Sequence, residues 1–315
     1  MGILKNPIAN KEITGVRMLY NNLSGYLKIK YGKRLKKICV DGGFSCPNRD
    51  GKVGFGGCIF CSERGSGEHI RCGVSIKEQV ENGLRGAADD DGFIVYFQNF
   101  TNTYADVETL KKRYDEALFD ERIKILAIGT RPDCITDEIA ELIASYKERV
   151  DVWVELGLQT ASNATAAVIN RGYETDVYVS AMKILKAHKI DTVTHLMIGL
   201  PGEGEAELRD SVALINRVEP FGIKIHSVYV AEGTRLAKMY RDGEYTPIER
   251  GDYTDRVVYV LTHISPSVIV HRITGDCPKD MLVAPEWNLD KNGVIAEINA
   301  KMQALVVKQG VFYEK

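Results

Sequence analysis

From about residue 34 the chain alternates short apolar runs with amphipathic segments, and no other pattern restricts its fold so severely. The apolar runs lie at 38–40, 93–97, 123–128, 150–156, 192–198 and 223–230. Runs of this length bounded by turn signals read as buried strands. Between them lie helix patterns. Ser75 with Glu78 three residues on has the spacing of a capping box. Asp106 heads a segment in which Val107, Leu110, Tyr114 and Leu118 share one face, and Thr136 heads one with Ile139, Leu142, Ile143 and Tyr146 facing in. Further helices are predicted at 164–170, 175–188, 205–217 and 234–240. Strands alternating with helices imply a parallel sheet with helices packed outside it. Six units are too few for an eight-fold closed barrel. The fold class is therefore α/β: a partial, open (β/α)6 TIM-like barrel with a small α+β C-terminal extension.

Gly243, Pro247 and Gly251 mark a boundary. The expected organisation is an N-terminal segment (1–33), the barrel (34–242), and an extension (243–315) packed on the barrel. The extension holds a helix, a strand at 268–272, an irregular stretch and a last helix at about 292–308. In such barrels chemistry sits where strands end, because the loops there vary over a packed core.

A net charge of -2 excludes a general polyanion binder, although Lys33, Arg34, Lys36 and Lys37 form a local basic patch. No run approaches the ~20 apolar residues of a membrane span. The first ten residues lack a basic region followed by an apolar run, so export is not expected. Seven cysteines, an odd number without an export signal, fit a reducing, cytoplasmic setting rather than a disulfide framework.

Three of those cysteines share one glycine-rich loop after the first strand: Cys46 in CPNRDG, then Cys58 and Cys61 in GGCIFC. Gly51, Gly54, Gly56 and Gly57 let the backbone wrap closely around a bulky group. Three thiolates are one short of a closed four-thiolate site. A [4Fe–4S] cluster on three cysteines keeps one iron open for S-adenosylmethionine. A zinc site with His69 or Cys72 as fourth ligand is the alternative.

The chain is identified as a member of the radical S-adenosylmethionine (SAM) superfamily. Within it the chain resembles the YhcC/YtqA-like family, related to the Elongator-type branch. The resemblance covers nearly the whole chain. It rests on the cysteine loop and on YFQNFTNTY at 96–104, IGTRPDC at 128–134, VWVELGLQT at 152–160, INRG at 169–172, GLPGE at 199–203 and HRITGD at 271–276. Eleven residues separate Cys46 from Cys58, where three are usual in the superfamily; the longer gap matches this family.

The resemblance implies a [4Fe–4S] cluster on Cys46, Cys58 and Cys61, with S-adenosylmethionine as the second cofactor. Phe60 resembles the aromatic beside the cofactor. Gln98, Asn99, Thr101 and Asn102 stand where relatives bind the methionyl amine, and Thr130, Arg131 and Asp133 point to the same mouth. Glu155 and Gln159 are expected at the amine or ribose, Arg171 at the carboxylate, and the backbone of Gly199 and Pro201 against adenine. A carboxylate such as Glu155 inside an apolar strand needs a partner in any case. His195 and His226, on neighbouring strands, are candidate substrate contacts, and Tyr229 and, from the extension, His271, Arg272 and Asp276 are expected to close the mouth.

The implied activity is reductive cleavage of S-adenosylmethionine to a 5′-deoxyadenosyl radical that abstracts hydrogen from a substrate. It needs an electron donor such as flavodoxin or ferredoxin. The family association points to side-chain modification of the transfer RNA wobble uridine. The alternatives are a radical enzyme on a small molecule, similar to coproporphyrinogen oxidase, and a non-catalytic zinc- or cluster-binding module. The sequence assigns no role to Cys39, Cys72, Cys134 or Cys277.

Overall fold

The computed structural model describes residues 18–314 except 66, 69, 71 and 72. Seven strands form one parallel sheet, in the order β1 (Lys36–Val40), β2 (Phe93–Phe97), β3 (Ile123–Thr130), β4 (Asp151–Gln159), β5 (Asp191–Ile198), β6 (Gly222–Ser227) and β8 (Ile269–Arg272). The sheet curls into a half-barrel with β1 and β8 at its two edges. The expected sixth strand is shorter than the apolar run suggests. Pairing with β5 ends at Ile198 opposite Ser227, because Gly199 takes a left-handed turn with φ 96°. Beyond it β7 (Val230–Ala231) leaves the barrel and pairs antiparallel with β9 (Leu282–Ala284). The strand expected in the extension joins the sheet as its seventh member.

Helices connect and cover the strands. They are α2 (Ile76–Leu84), α3 (Val107–Ala117), α4 (Asp137–Ser145), α5 (Asn163–Val168), α6 (Thr175–Ala187), α7 (Glu205–Val218), α8 (Arg235–Arg241), α9 (Arg250–His263) and α10 (Lys291–Ala304). Local sequence sets their starts. Side chains of Ser75, Asp106, Thr136, Ser162 and Thr234 accept from the backbone N–H three residues on. At α7 the reciprocal arm is present, the Gly204 N–H donating to Glu207 Oε2 at 2.8 Å.

Period-two alternation divides each strand between two faces. Val95, Phe97, Leu126, Ile128, Val154, Leu156, Leu196, Ile198, Ile223 and Ile225 pack outward against the helices. Ile94, Ile125, Trp153 and Val193 point inward and make an apolar base. A further helix, α1 (Leu23–Tyr31), closes that base with Leu23, Tyr26 and Leu27. The Tyr26 and Trp153 rings pack on Phe221 with centroids at 5.4 and 5.7 Å. One end of the half-barrel is thereby sealed, and the polar inward residues face the other. No helix among the described residues is long and apolar enough to cross a membrane.

Candidate functional site

At the open end lies a cavity of about 660 Å³ lined by Cys46, Cys58 and Cys61. The cysteine loop starts from β1 and folds back on itself. Asp50 and Phe55 form an isolated antiparallel bridge, and the Val53 and Gly54 N–H groups donate to Pro47 O. The eleven-residue gap is thus a small pinned excursion. Gly51, Gly56 and Gly57 take φ of 92°, 76° and 73°, which only glycine adopts at little cost. The Arg49 guanidinium donates to Cys61 O at 3.3 Å and to Ser62 O. The Cys61 thiol hydrogen-bonds to Cys58 and lowers it to about 7, burial acting the other way; Cys61 itself is raised by the same bond and by burial.

Three soft thiols in one glycine-rich loop, with a backbone that wraps around them, fit an iron–sulfur core. Two buried polar atoms on the same cavity, Thr101 Oγ1 and His226 Nε2, have no partner among the described residues. Both are suited to an incoming ligand. Among the described residues no three Cys, His, Asp or Glu side chains converge on a single ion position. His69 and Cys72, the candidate fourth zinc ligands, lie outside the described residues.

The other expected contacts divide into two groups. Phe60, Gln98, Arg131, Glu155 and Gln159 line the cavity with the three cysteines, as do Thr101, Thr130, His195, His226, Tyr229, Arg272 and Asp276. Arg131 is held by Asp133, Nε to Oδ1 at 2.9 Å and Nη2 to Oδ2 at 2.7 Å, and lies 4.8 Å above the Tyr173 ring. The Tyr173 hydroxyl stands 3.0 Å from the Gln159 amide.

Asn99, Asn102, Arg171, Gly199 and Pro201 do not line the cavity. Asn99 donates to Asp41 Oδ2 at 3.1 Å. The buried Asn102 amide ties Phe97 O to Gly129 O at 3.1 and 2.8 Å, joining the ends of β2 and β3. Arg171 is fully buried. It donates to Leu158 O and Thr160 O at 2.7 Å, Tyr173 O at 2.9 Å and Thr175 Oγ1 at 3.1 Å. These bonds occupy the guanidinium that was expected to meet a cofactor carboxylate. Gly199 O accepts from the Tyr245 hydroxyl at 2.7 Å, and a Cβ on Gly199 would stand 2.8 Å from Ile248. His271 also lies off the cavity, its ring edge-on to Trp153 at 4.9 Å.

The sequence reading missed Lys224, which sits on β6 between Ile223 and Ile225 and points inward. Its Nζ pairs with Glu155 Oε2, and His195 Nε2 stands 3.0 Å from the same oxygen. Lys224 also lies 4.4 Å above the Tyr96 ring, and the His195 and His226 rings are 5.0 Å apart. Burial would raise the Glu155 carboxyl, but the Lys224 ammonium and His195 hold it well below the usual range. Burial lowers Lys224 to about 7 against the pull of Glu155. It also lowers both histidines. The cavity therefore has a sulfur wall and a polar floor built on the buried Glu155–Lys224 pair. Cys39, on β1, and Cys277, in the segment that follows β8, line it too.

A sequence model of the Radical SAM superfamily matches residues 48–215, more than half of the chain. The chain belongs to the radical SAM superfamily. It is accordingly a radical SAM enzyme. A model described as the Radical_SAM C-terminal domain matches residues 220–304. YtqA of Bacillus subtilis (strain 168) is 36% identical over 300 residues, covering 94% of this chain and 93% of that protein. A tRNA uridine(34) acetyltransferase of Dehalococcoides mccartyi is 29% identical over 182 residues, covering 56% of this chain and 39% of that one. Among solved structures, the archaeal Methanocaldococcus infernus Elp3 with an N-terminal deletion superposes with a TM-score of 0.65 at 18% identity. That match covers 87% of this chain and 64% of the other, less than two thirds of its length. The likeness supports the radical SAM half-barrel as the fold.

Proposed function

We propose that this radical SAM enzyme holds a [4Fe–4S] cluster on Cys46, Cys58 and Cys61, binds S-adenosylmethionine beside it, and modifies the side chain of the wobble uridine in transfer RNA. The observation that carries the reading is the shared cavity: three thiols form one wall, and ligand-facing polar groups form the others. The loaded cofactors supply reductive cleavage of S-adenosylmethionine to a carbon radical that abstracts hydrogen.

The chain's own residues provide binding and orientation. Phe60 gives an apolar wall next to the thiols. Gln98, Thr101, Thr130 and Gln159 offer uncharged donors and acceptors. Arg131, paired with Asp133 through Nε and Nη2 and donating from Nη1 to Arg171 O at 2.9 Å, lines the cavity in a fixed orientation, with its second Nη hydrogens left for a ligand acceptor. On the floor, Glu155 Oε2 holds both His195 Nε2 and Lys224 Nζ and so fixes the orientation of both beside the cavity. His226 Nε2 remains available to a substrate polar group. The apolar base closed by α1 keeps bulk water from the inner end.

Two points favour RNA over a small molecule. The D. mccartyi relative is named for transfer RNA uridine(34). In addition, Lys36 and Lys37 of the basic patch are exposed and line the cavity from the start of β1, Lys36 paired with Asp91 at 2.6 Å, which leaves Lys37 to meet a phosphate. An electron donor such as flavodoxin or ferredoxin completes the system. The test is anaerobic incubation with bulk transfer RNA from a strain lacking the gene, followed by nucleoside mass spectrometry. A mass change confined to the wobble uridine nucleoside is expected. Unchanged RNA with continued S-adenosylmethionine cleavage would overturn the RNA assignment and favour a small-molecule substrate.

A further inference from the structure

The cysteine loop and the 169–172 segment interlock through two asparagines. Asn48, two residues after Cys46, donates from Nδ2 to Asn170 O at 2.6 Å. Asn170 returns the contact, its Nδ2 donating to Gly57 O at 2.7 Å and to Phe55 O at 3.3 Å. The backbone closes the figure: Gly57 N–H donates to Asn48 O at 2.8 Å, and Ile59 N–H to Ile169 O at 3.1 Å. Asn48 Nδ2 is also 4.0 Å from Cys58 Sγ. The surrounding glycines are required by this packing. A Cβ on Gly54 would stand 2.5 Å from Asn48 Oδ1, and one on Gly172 would stand 2.8 Å from it. Asn170 itself has φ 53°, a left-handed conformation that asparagine tolerates better than most residues.

We propose that Asn48 and Asn170 form a reciprocal amide clasp that fixes the cysteine loop on the barrel and positions Cys58 and Cys61. The proposal deepens, and for its metal consequence rests on, the cluster reading above. It reassigns the 169–172 segment: its asparagine and glycine serve the thiol site, while its arginine serves the end of β4. Both asparagines are positioning residues. Without the clasp the loop between Cys46 and Cys58 loses its amide cross-links to the 169–172 segment and keeps the looser packing of Arg49 over the Phe100 ring and Lys52 over the Tyr104 ring.

The test uses the full chain without metal, then after anaerobic reconstitution. Asn170→Gly keeps the left-handed backbone and removes only the amide. Asn48→Ala removes the other half of the clasp. Ile298→Val, in the remote helix α10, serves as a matched control for general destabilisation. Hydrogen exchange followed by mass spectrometry reads the 46–61 peptides against those of β3. Loss of two hydrogen bonds predicts exchange about tenfold faster in the loop with β3 unchanged. After reconstitution, both clasp variants should lose iron faster than wild type on exposure to a chelator. Unchanged loop exchange in Asn170→Gly, or an equal rise in Ile298→Val, would overturn the clasp. Wild-type protein that retains no iron would instead overturn the cluster reading, and the exchange result alone would then decide the clasp.

Discussion

Replacing Glu155 with glutamine probes the polar floor most sharply. The Glu155 and Lys224 side chains are 2% and 4% exposed and meet through Oε2 and Nζ. Glutamine keeps the shape and can still face His195, but it leaves the lysine charge without its carboxylate. Removing one partner of a buried pair costs about 3–5 kcal/mol. The Tyr96 ring 4.4 Å from Nζ offsets part of this. Proton release offsets more. Lys224 is lowered to about 7 when folded, against 10.5 for its ordinary value. Between those values the unfolded chain holds the proton and the folded chain releases it, so stability from this group rises with pH. The value of about 7 holds with Glu155 in place; because the carboxylate raises it, removing Glu155 moves the release of the proton to lower pH, and the burden still eases as pH rises. Glu155→Gln should therefore be most destabilised near pH 6 and less so near pH 9. Adding Lys224→Met removes the orphaned charge, and the double variant should recover most of the loss, because apolar replacement of a buried pair is often close to neutral. Urea unfolding followed by fluorescence is the assay, with Trp153 on the same strand as Glu155 as reporter. Single variants each within about 1 kcal/mol of wild type at both pH values, with additive effects, would refute the argument.

Two further substitutions separate structural from ligand-binding roles. Arg171→Lys should lose about 3 kcal/mol or more of stability, because lysine cannot reach the four acceptors that the guanidinium serves. S-adenosylmethionine affinity of the folded protein, measured by calorimetry, should be unchanged; weaker binding at unaltered stability would restore Arg171 as a cofactor ligand. Gly57→Ala introduces a Cβ at φ 73° and 2.9 Å from Arg49 Nε. It should cost about 1–2 kcal/mol and reduce retained iron by displacing Arg49 from Cys61 O and Ser62 O, and normal iron content with normal stability would contradict this.

Much of the fold was legible because buried parallel strands are continuous apolar runs and the helices between them carry capping side chains. Helix α1 was not legible. Leu27, Ile29 and Tyr31 alternate with Lys28 and Lys30, a period of two that disguises a helix whose buried positions are Gly25 and Leu27. The site was legible where chemistry conflicted with its surroundings. Glu155 stands out in an apolar strand, and its need for a partner was clear. The partner, Lys224, lies 69 residues away and breaks the apolar pattern of β6 in the same way. Pairing the two anomalies would have found it. The structural bonds of Arg171 were not legible, because its acceptors are created by tertiary structure. Gln159 has φ 59° and the β4–β5 register shifts between Gly157 and Gln159. The Leu158 carbonyl, which also accepts from the Thr160 N–H at 2.8 Å, and the Thr160 carbonyl are thereby turned toward the Arg171 guanidinium. Nothing in the sequence marks that irregularity. The amides of Asn99 and Asn102 are likewise used to join loop and strand ends, a role that resembles ligand binding in sequence because both need the same donors.

The central claim is that Cys46, Cys58 and Cys61 hold the cluster at which S-adenosylmethionine is cleaved. Anaerobic reconstitution with iron and sulfide, reduction, and addition of S-adenosylmethionine test it directly. About four irons per chain and formation of 5′-deoxyadenosine are expected, both lost in Cys58→Ala. One tightly held zinc per chain with no nucleoside formed would contradict it.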